Sequence, residues 1–170
     1  MLNLGSLLQP DLVLKRSILG LTPEVIEQHG LLGMILDVDE TLVPFSAANI
    51  SPELEAWAEE VRPLVALWLV SNNTSTVRIK RIADALGLPY VSGAGKPSRR
   101  KLKRAAADMG LPKKQVAMVG DRLFTDVLAG NRLGLFTILV DPMVDPAQEV
   151  SLRPIHAAEV WMSKRLGVSL

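Results

Sequence analysis

Leu64 to Val70 is the longest uninterrupted apolar run in the chain, seven residues that end at Ser71. Seven residues fall far short of the roughly 20 needed to cross a bilayer. An extended run with no polar alternation also has no face to offer water, so both faces must be covered, as in a parallel sheet flanked by helices. Four more short runs read as strands: "GMILDVD" (33–39), "LPYVSG" (88–93), "QVAMVG" (115–120) and "LFTILV" (135–140). Helix-period segments lie between them. Ser51 and Pro52 supply an N-cap and first helical position for a helix to about Val61. From Ser75, Ile79, Ile82, Ala83 and Leu86 share one face, and Gly87 stops the helix. After Pro97, Leu102, Ala105, Ala106 and Met109 repeat that spacing, and residues 124–133 look helical.

Strands alternating with helices predict an α/β three-layer sandwich around a mainly parallel five-stranded sheet. At 170 residues the chain suits one domain with a sizeable core. We divide it into an N-terminal helical segment (1–30), a core (31–142) and a C-terminal helix (150–170). Cysteine is absent, which excludes disulfides, thiolate nucleophiles and Cys-ligated metals; the two histidines, His29 and His156, make a His-based zinc site a poor expectation. The N-terminus lacks the pattern of a signal peptide, so a cytoplasmic location is expected. Trp57, Trp68 and Trp161 read as packing residues rather than base-stacking platforms, and no nucleic-acid partner is expected.

Charge is unevenly spread. Residues 37–60 hold seven acids and no base, whereas residues 78–114 hold eleven bases against two acids, a local net charge of +9. Two readings of that basic stretch stay open, an anionic partner or solvated helix faces.

The polar residues that interrupt this pattern are better placed than chance would arrange. In parallel sheets functional groups gather at the carboxyl ends of strands. Asp37 and Asp39 end the first predicted strand, Ser71 the second and Gly120-Asp121 the fourth, and Lys96 lies just beyond the third. Residues two apart on a strand point the same way, so Asp37 and Asp39 should face one cleft. With Asp121 they offer oxygen ligands to a hard cation, and Mg²⁺ commonly bridges carboxylates to phosphate. Lys96, the Ser71 hydroxyl and the Asn72 amide add donors suited to a phosphoryl group.

These residues carry a recognisable pattern. "DVDET" (37–41) resembles the first motif of the haloacid dehalogenase (HAD) superfamily, "LVSNN" its second, "GKPS" its third and "GDRLFTD" its fourth, in the family's order. The finer match, over "LTPEVIEQHGLLGMILDVDETLVP" and "GDRLFTDVLAGNRLGLFTILVDP", is similar to the YqeG-type class IIIA HAD phosphatases, related to phosphatidylglycerophosphate phosphatases. The resemblance implies a HAD-like Rossmannoid fold and Mg²⁺-dependent phosphomonoester hydrolysis through a phosphoaspartate. Asp37 would be the nucleophile and Asp39 the general acid and base. Thr41 would set the loop and orient Asp39, Ser71 and Asn72 would meet phosphate oxygens, and Lys96 would stabilise nucleophile and intermediate. Metal would be held by the Asp37 carboxylate, the Asp39 carbonyl and Asp121, with Asp126 nearby. Relatives often carry Asn where Glu40 stands, and Glu40 is expected to point to solvent.

The 30 positions from Thr41 to Ser71 and the 25 from Ser71 to Lys96 are each used up by one helix and one strand, leaving no room for a cap domain. The expected cleft is open and suits a large substrate, with a phospholipid headgroup the implied one. Leu7, Leu8, Leu12, Val13 and Leu14, next to Lys15 and Arg16, would allow peripheral membrane contact, or form an ordinary packed segment. Phosphoproteins or other phosphomonoesters remain alternative substrates, and a catalytically silent Mg²⁺-binding module remains a further alternative.

Overall fold

The chain's wholly apolar strands find the double cover they need. The computed structural model describes residues 4–143 and 149–170, with side chains in the last helix described from residue 154 onward. Its elements run α1 (Leu4–Leu8), β1 (Leu12–Val13), α2 (Pro23–Gln28), β2 (Gly33–Leu36), α3 (Pro52–Val61), β3 (Ala66–Val70), α4 (Thr76–Leu86), β4 (Tyr90–Val91), α5 (Arg100–Asp108), β5 (Val116–Gly120), α6 (Leu128–Leu133), β6 (Phe136–Leu139) and α7 (Glu149–Arg165). All strand pairs are parallel, in the order β1-β6-β5-β2-β3-β4.

Period-2 alternation decides which helix covers which face. Met34 and Leu36 of β2, with Leu67 and Leu69 of β3, turn toward Leu54, Trp57 and Val61 of α3 and Ile79 and Ile82 of α4. Ile35 turns the other way, toward Leu102 and Ala105 of α5 and Ala129 of α6. The α3 helix is capped as its sequence predicts, with the Leu54 amide donating to Ser51 Oγ at 3.1 Å. Gly87 ends α4 with φ of +63°.

The sheet has six strands rather than five. The sixth, β1, lies in the segment expected to be helical; it pairs with β6 and is extended by Leu14 N donating to Leu139 O at 2.9 Å. Asp11 anchors it, its Oδ2 accepting the Thr137 amide at 2.8 Å. A two-residue strand made by an edge more than a hundred residues away leaves no local periodicity. Leu8 is fully buried, and Leu12 and Leu14 pack on the core. Leu8, Leu12 and Leu14 are therefore packing residues, whereas Leu4 is 47% exposed. Gln9 and Ser169 exchange two hydrogen bonds, of 2.9 and 2.8 Å, which tie the start of the described chain to its end. Trp57 is buried as expected, but Trp161 on α7 is 58% exposed and is no core residue.

Strand order reverses between β2 and β5, the neighbours from which the chain departs in opposite directions. Ligands in such sheets bind beyond the carboxyl ends at that switch point. Here the strands deliver Asp37 and Asp121.

Candidate active site

Register sets the starting geometry. Leu36 pairs with Val119 and with Leu69, so Asp37 lies one residue beyond the paired stretch, level with Gly120 and Val70. Its amide still donates to Val119 O at 2.9 Å. The chain after β5 then forms one π-helical turn (Leu123–Val127) before α6, where a regular helix is expected from the sequence. That turn swings Asp126 back over Gly120. A Cβ on Gly120 would sit 2.2 Å from Asp126 Oδ2, so only glycine leaves the carboxylate its place.

Lys96 Nζ reaches Asp37 Oδ1 at 2.8 Å and Asp126 Oδ1 at 2.7 Å, all three side chains being buried or nearly so. Oxygens of Asp37, Asp121 and Asp126 lie within 4.8 Å of one another. Three carboxylates against one ammonium is a poor balance away from water. Burial, then the charge of Asp126, push Asp37 up to about 7 against the opposing pull of Lys96. Burial and the charges of Asp126 and Asp37 likewise raise Asp121 well above the carboxylate range. Burial pulls Lys96 down, but Asp126 and Asp37 outweigh it and raise it above 10.5, keeping the ammonium charged. Asp121 Oδ2 is buried and accepts no hydrogen bond. A crowded carboxylate trio with an idle oxygen fits a small divalent cation, and oxygen-only donors favour Mg²⁺.

Several predicted residues meet partners other than those expected. Thr41 Oγ1 donates to Asp121 Oδ1 at 2.9 Å, so it orients that carboxylate rather than Asp39. Ser71 is fully buried; its hydroxyl donates to Asp39 Oδ2 at 3.2 Å and accepts the Asn73 amide at 3.0 Å. The Asn72 side chain clamps the backbone of Lys96, accepting its N–H at 2.7 Å and donating to its carbonyl at 3.0 Å. Asn72 thus places the lysine, and its side chain also lines the cleft. The Asp39 carboxylate stands outside the trio. It does not stand clear of every cation, because Arg78 Nη1 pairs with its Oδ1. Glu40 does not point to solvent: at φ +63° its side chain turns inward, is 7% exposed, and accepts the Phe45 amide at 2.7 Å. The left-handed backbone breaks the alternation that would have sent it outward.

Other site residues escaped the sequence reading. Arg78 also donates to the carbonyls of Ala47 (2.8 Å) and Pro44 (3.1 Å), and lies 5.7 Å from the centre of the Phe45 ring, fastening the loop after β2. Glu159 of α7 accepts Arg122 Nη2 at 2.9 Å and the Leu123 amide at 3.3 Å. It pins α7 to the turn that follows Asp121. His156 Nε2 is 3.7 Å from Asp121 Oδ2, and burial lowers its pKa, favouring the neutral ring. A cleft of about 330 Å³ opens over the carboxylates, with Phe45 from one side and Ile155 and His156 from the other. No cap is inserted, yet the cleft is not simply open, since α7 forms one wall. Arg78 sits mid-helix at an unremarkable spacing and α7 is remote in sequence, so neither carried a local signal.

The basic stretch does not ring this cleft. Of its bases only Lys96 lines the cleft, while Arg78 reaches the Asp39 carboxylate from behind. Arg104 pairs weakly with Asp108, at 3.9 Å, and Lys101 donates to Ser92 O at 2.8 Å. Arg99, Arg100, Lys103 and Lys113 instead line a separate groove with Arg132.

A family model described as HAD-hydrolase-like matches residues 93–162, which include Lys96, Asp121 and Asp126. The chain is 39% identical over 135 residues to the probable phosphatase YqeG of Bacillus subtilis, covering 79% of this chain and 77% of that protein. It belongs to the HAD phosphatases, on the YqeG branch. A more distant HAD relative is phosphatidylglycerophosphate phosphatase 1 of Arabidopsis thaliana, 26% identical over 152 residues; these span 84% of this chain but 43% of that protein. The fold is shared with the cobalt-bound deoxy-D-mannose-octulosonate 8-phosphate phosphatase of Haemophilus influenzae (TM-score 0.50, 15% identity, 80% of this chain and 91% of that one). This HAD protein is a phosphatase. Among its described residues no helix is long and apolar enough to cross a membrane.

Proposed function

We propose that the protein hydrolyses a phosphomonoester on a phospholipid headgroup, with phosphatidylglycerophosphate the leading substrate, through a phosphoaspartate on Asp37. The observation that carries the chemistry is the Lys96 ammonium held between Asp37 and Asp126, beside an Asp121 oxygen left idle. Asp37, Asp121 and Asp126, with the Asp39 carbonyl, would hold Mg²⁺, which supplies charge neutralisation for an incoming phosphate dianion.

Asp37 attacks phosphorus with one carboxylate oxygen, and the bond from phosphorus to the headgroup oxygen breaks. Asp39 delivers its proton to that leaving oxygen. It then takes a proton from the water that attacks the phosphoaspartate, and inorganic phosphate departs with Asp37 restored. Lys96 pulls toward the ionised nucleophile against the burial that raises Asp37, bound Mg²⁺ would add to that pull, and the ammonium offsets charge on the transferring group. Ser71 and Arg78 fix the Asp39 carboxylate outside the carboxylate trio.

Support for a lipid comes from the Arabidopsis relative and from the cleft, whose polar floor lies between two half-exposed apolar side chains, Phe45 and Ile155. Phosphate release should be measured for phosphatidylglycerophosphate in micelles, a phosphopeptide, a nucleotide and a sugar phosphate, each with Mg²⁺ and with chelator. The proposal expects the lipid to be preferred, and activity to vanish in Asp37→Asn. Faster turnover of the phosphopeptide would overturn the lipid assignment, and metal-independent turnover would overturn the mechanism.

A further inference from the structure

The α7 helix roofs the cleft with one side and leaves another uncovered. Its inward face is marked by Glu159 and Ser163, both buried. At 100° per residue, Ile155 and Met162 lie two turns apart along one edge of that face, and Ala158, Trp161 and Arg165 continue around the same flank. Ile155, Trp161 and Met162 are 46%, 58% and 44% exposed. Three large apolar side chains on one helical flank form a contiguous patch rather than scattered surface residues.

We propose that this flank of α7 is the surface by which the protein docks on an anionic phospholipid bilayer, setting the cleft mouth at the headgroup plane. The charge pattern selects the occupant. Among the described side chains of α7 the one acid, Glu159, is turned inward to Arg122, while Lys164 and Arg165 are exposed at the helix end. The Arg165 guanidinium stacks on Trp161 at 4.3 Å, joining a cation to an indole that favours the membrane–water boundary. Apolar flank plus uncompensated cations is the composition of an interfacial helix. Position agrees with this, because Ile155 belongs both to the flank and to the cleft wall. Docking there would bring a headgroup phosphate toward Asp37 without drawing a lipid fully out of the bilayer. The biological sense of the inference rests on the lipid-phosphate reading, although the docking can be tested without it.

The test uses the full chain in co-sedimentation with phosphatidylcholine vesicles, with and without phosphatidylglycerol at roughly a third of the lipid. Wild type should bind the anionic vesicles and lose binding as salt is raised. Trp161→Ser with Met162→Ser should lower the partition coefficient by about tenfold or more, and Lys164→Gln with Arg165→Gln should remove most of the salt-sensitive part. Both variants should hydrolyse a soluble aryl phosphate at the wild-type rate, which also reports that they fold. Unchanged binding in the first variant, or no wild-type binding to anionic vesicles, would overturn the proposal. So would a wild-type dimer that this variant converts to monomer, since the flank would then be covered by a second copy. Vesicle binding through α7 without release of phosphate from phosphatidylglycerophosphate would keep the docking surface and overturn the substrate. Turnover of that lipid in micelles without vesicle binding would do the reverse.

Discussion

Replacing Asp37 by Asn should abolish turnover and yet stabilise the metal-free protein at alkaline pH. The folded protein binds the Asp37 proton more tightly than the unfolded chain does, because burial and the neighbouring Asp126 lift it from 3.8 to about 7. That contribution to stability is complete below about pH 4 and is lost as pH rises through about 7. At about 1.4 kcal/mol per pH unit, the rise is worth on the order of 4 kcal/mol. In a protein of this size that corresponds to roughly 10 °C in Tm. Asn keeps the shape without the charge, and Lys96 still has Asp126 at 2.7 Å. Thermal unfolding of both proteins in chelator from pH 5 to 8 measures the effect. Wild type should lose stability across that range by more than the variant, and Mg²⁺ should restore wild type chiefly at the upper end, where metal no longer competes with a proton. A wild type equally stable in chelator at pH 5 and pH 8, or a variant less stable than wild type at pH 8, would refute the account of the carboxylate trio.

Three further outcomes are expected. Gly120→Ala puts a methyl 2.2 Å from Asp126 Oδ2; unfolding should show a loss of about 1–3 kcal/mol, with kcat down by more than tenfold as Asp126 leaves Lys96. Arg78→Met deprives Asp39 of its ion pair and the loop at Pro44 and Ala47 of two donors; stability should fall by about 1–3 kcal/mol, with kcat reduced more than KM is raised. Glu159→Ala removes the acceptor for Arg122 and for the Leu123 amide; hydrogen exchange in α7 should rise sharply while the amides of β2 and β5 stay protected.

How much of this was legible in the sequence follows from how local each cause is. The double-sided strands and capped helices announce themselves through period and punctuation, and they account for five of the six strands. The sixth, β1, exists by pairing with β6, and nothing within Leu12–Val13 reports it. Strand-end position placed Asp37, Lys96 and Asp121 near one point, and the structure brings them together with Asp126. What the sequence could not convey was partnership. Thr41 turned to Asp121, Asn72 to the lysine backbone and Asp39 to Arg78, because each choice depends on angles set by loops. Glu40 failed for a definable reason, since an alternation rule assumes extended backbone and its φ is +63°. The contribution of α7 was invisible because a helix more than a hundred residues from Asp37 carries no motif that names its place.

The paired hydrogen bonds between Gln9 and Ser169 give the molecule a clasp. With Leu8 and Val168 sharing one small apolar cluster, the tail that follows α7 is buckled to the segment that leads into β1. Cutting the chain back to residue 10 would therefore loosen a wall of a cleft whose reactive groups begin at residue 37.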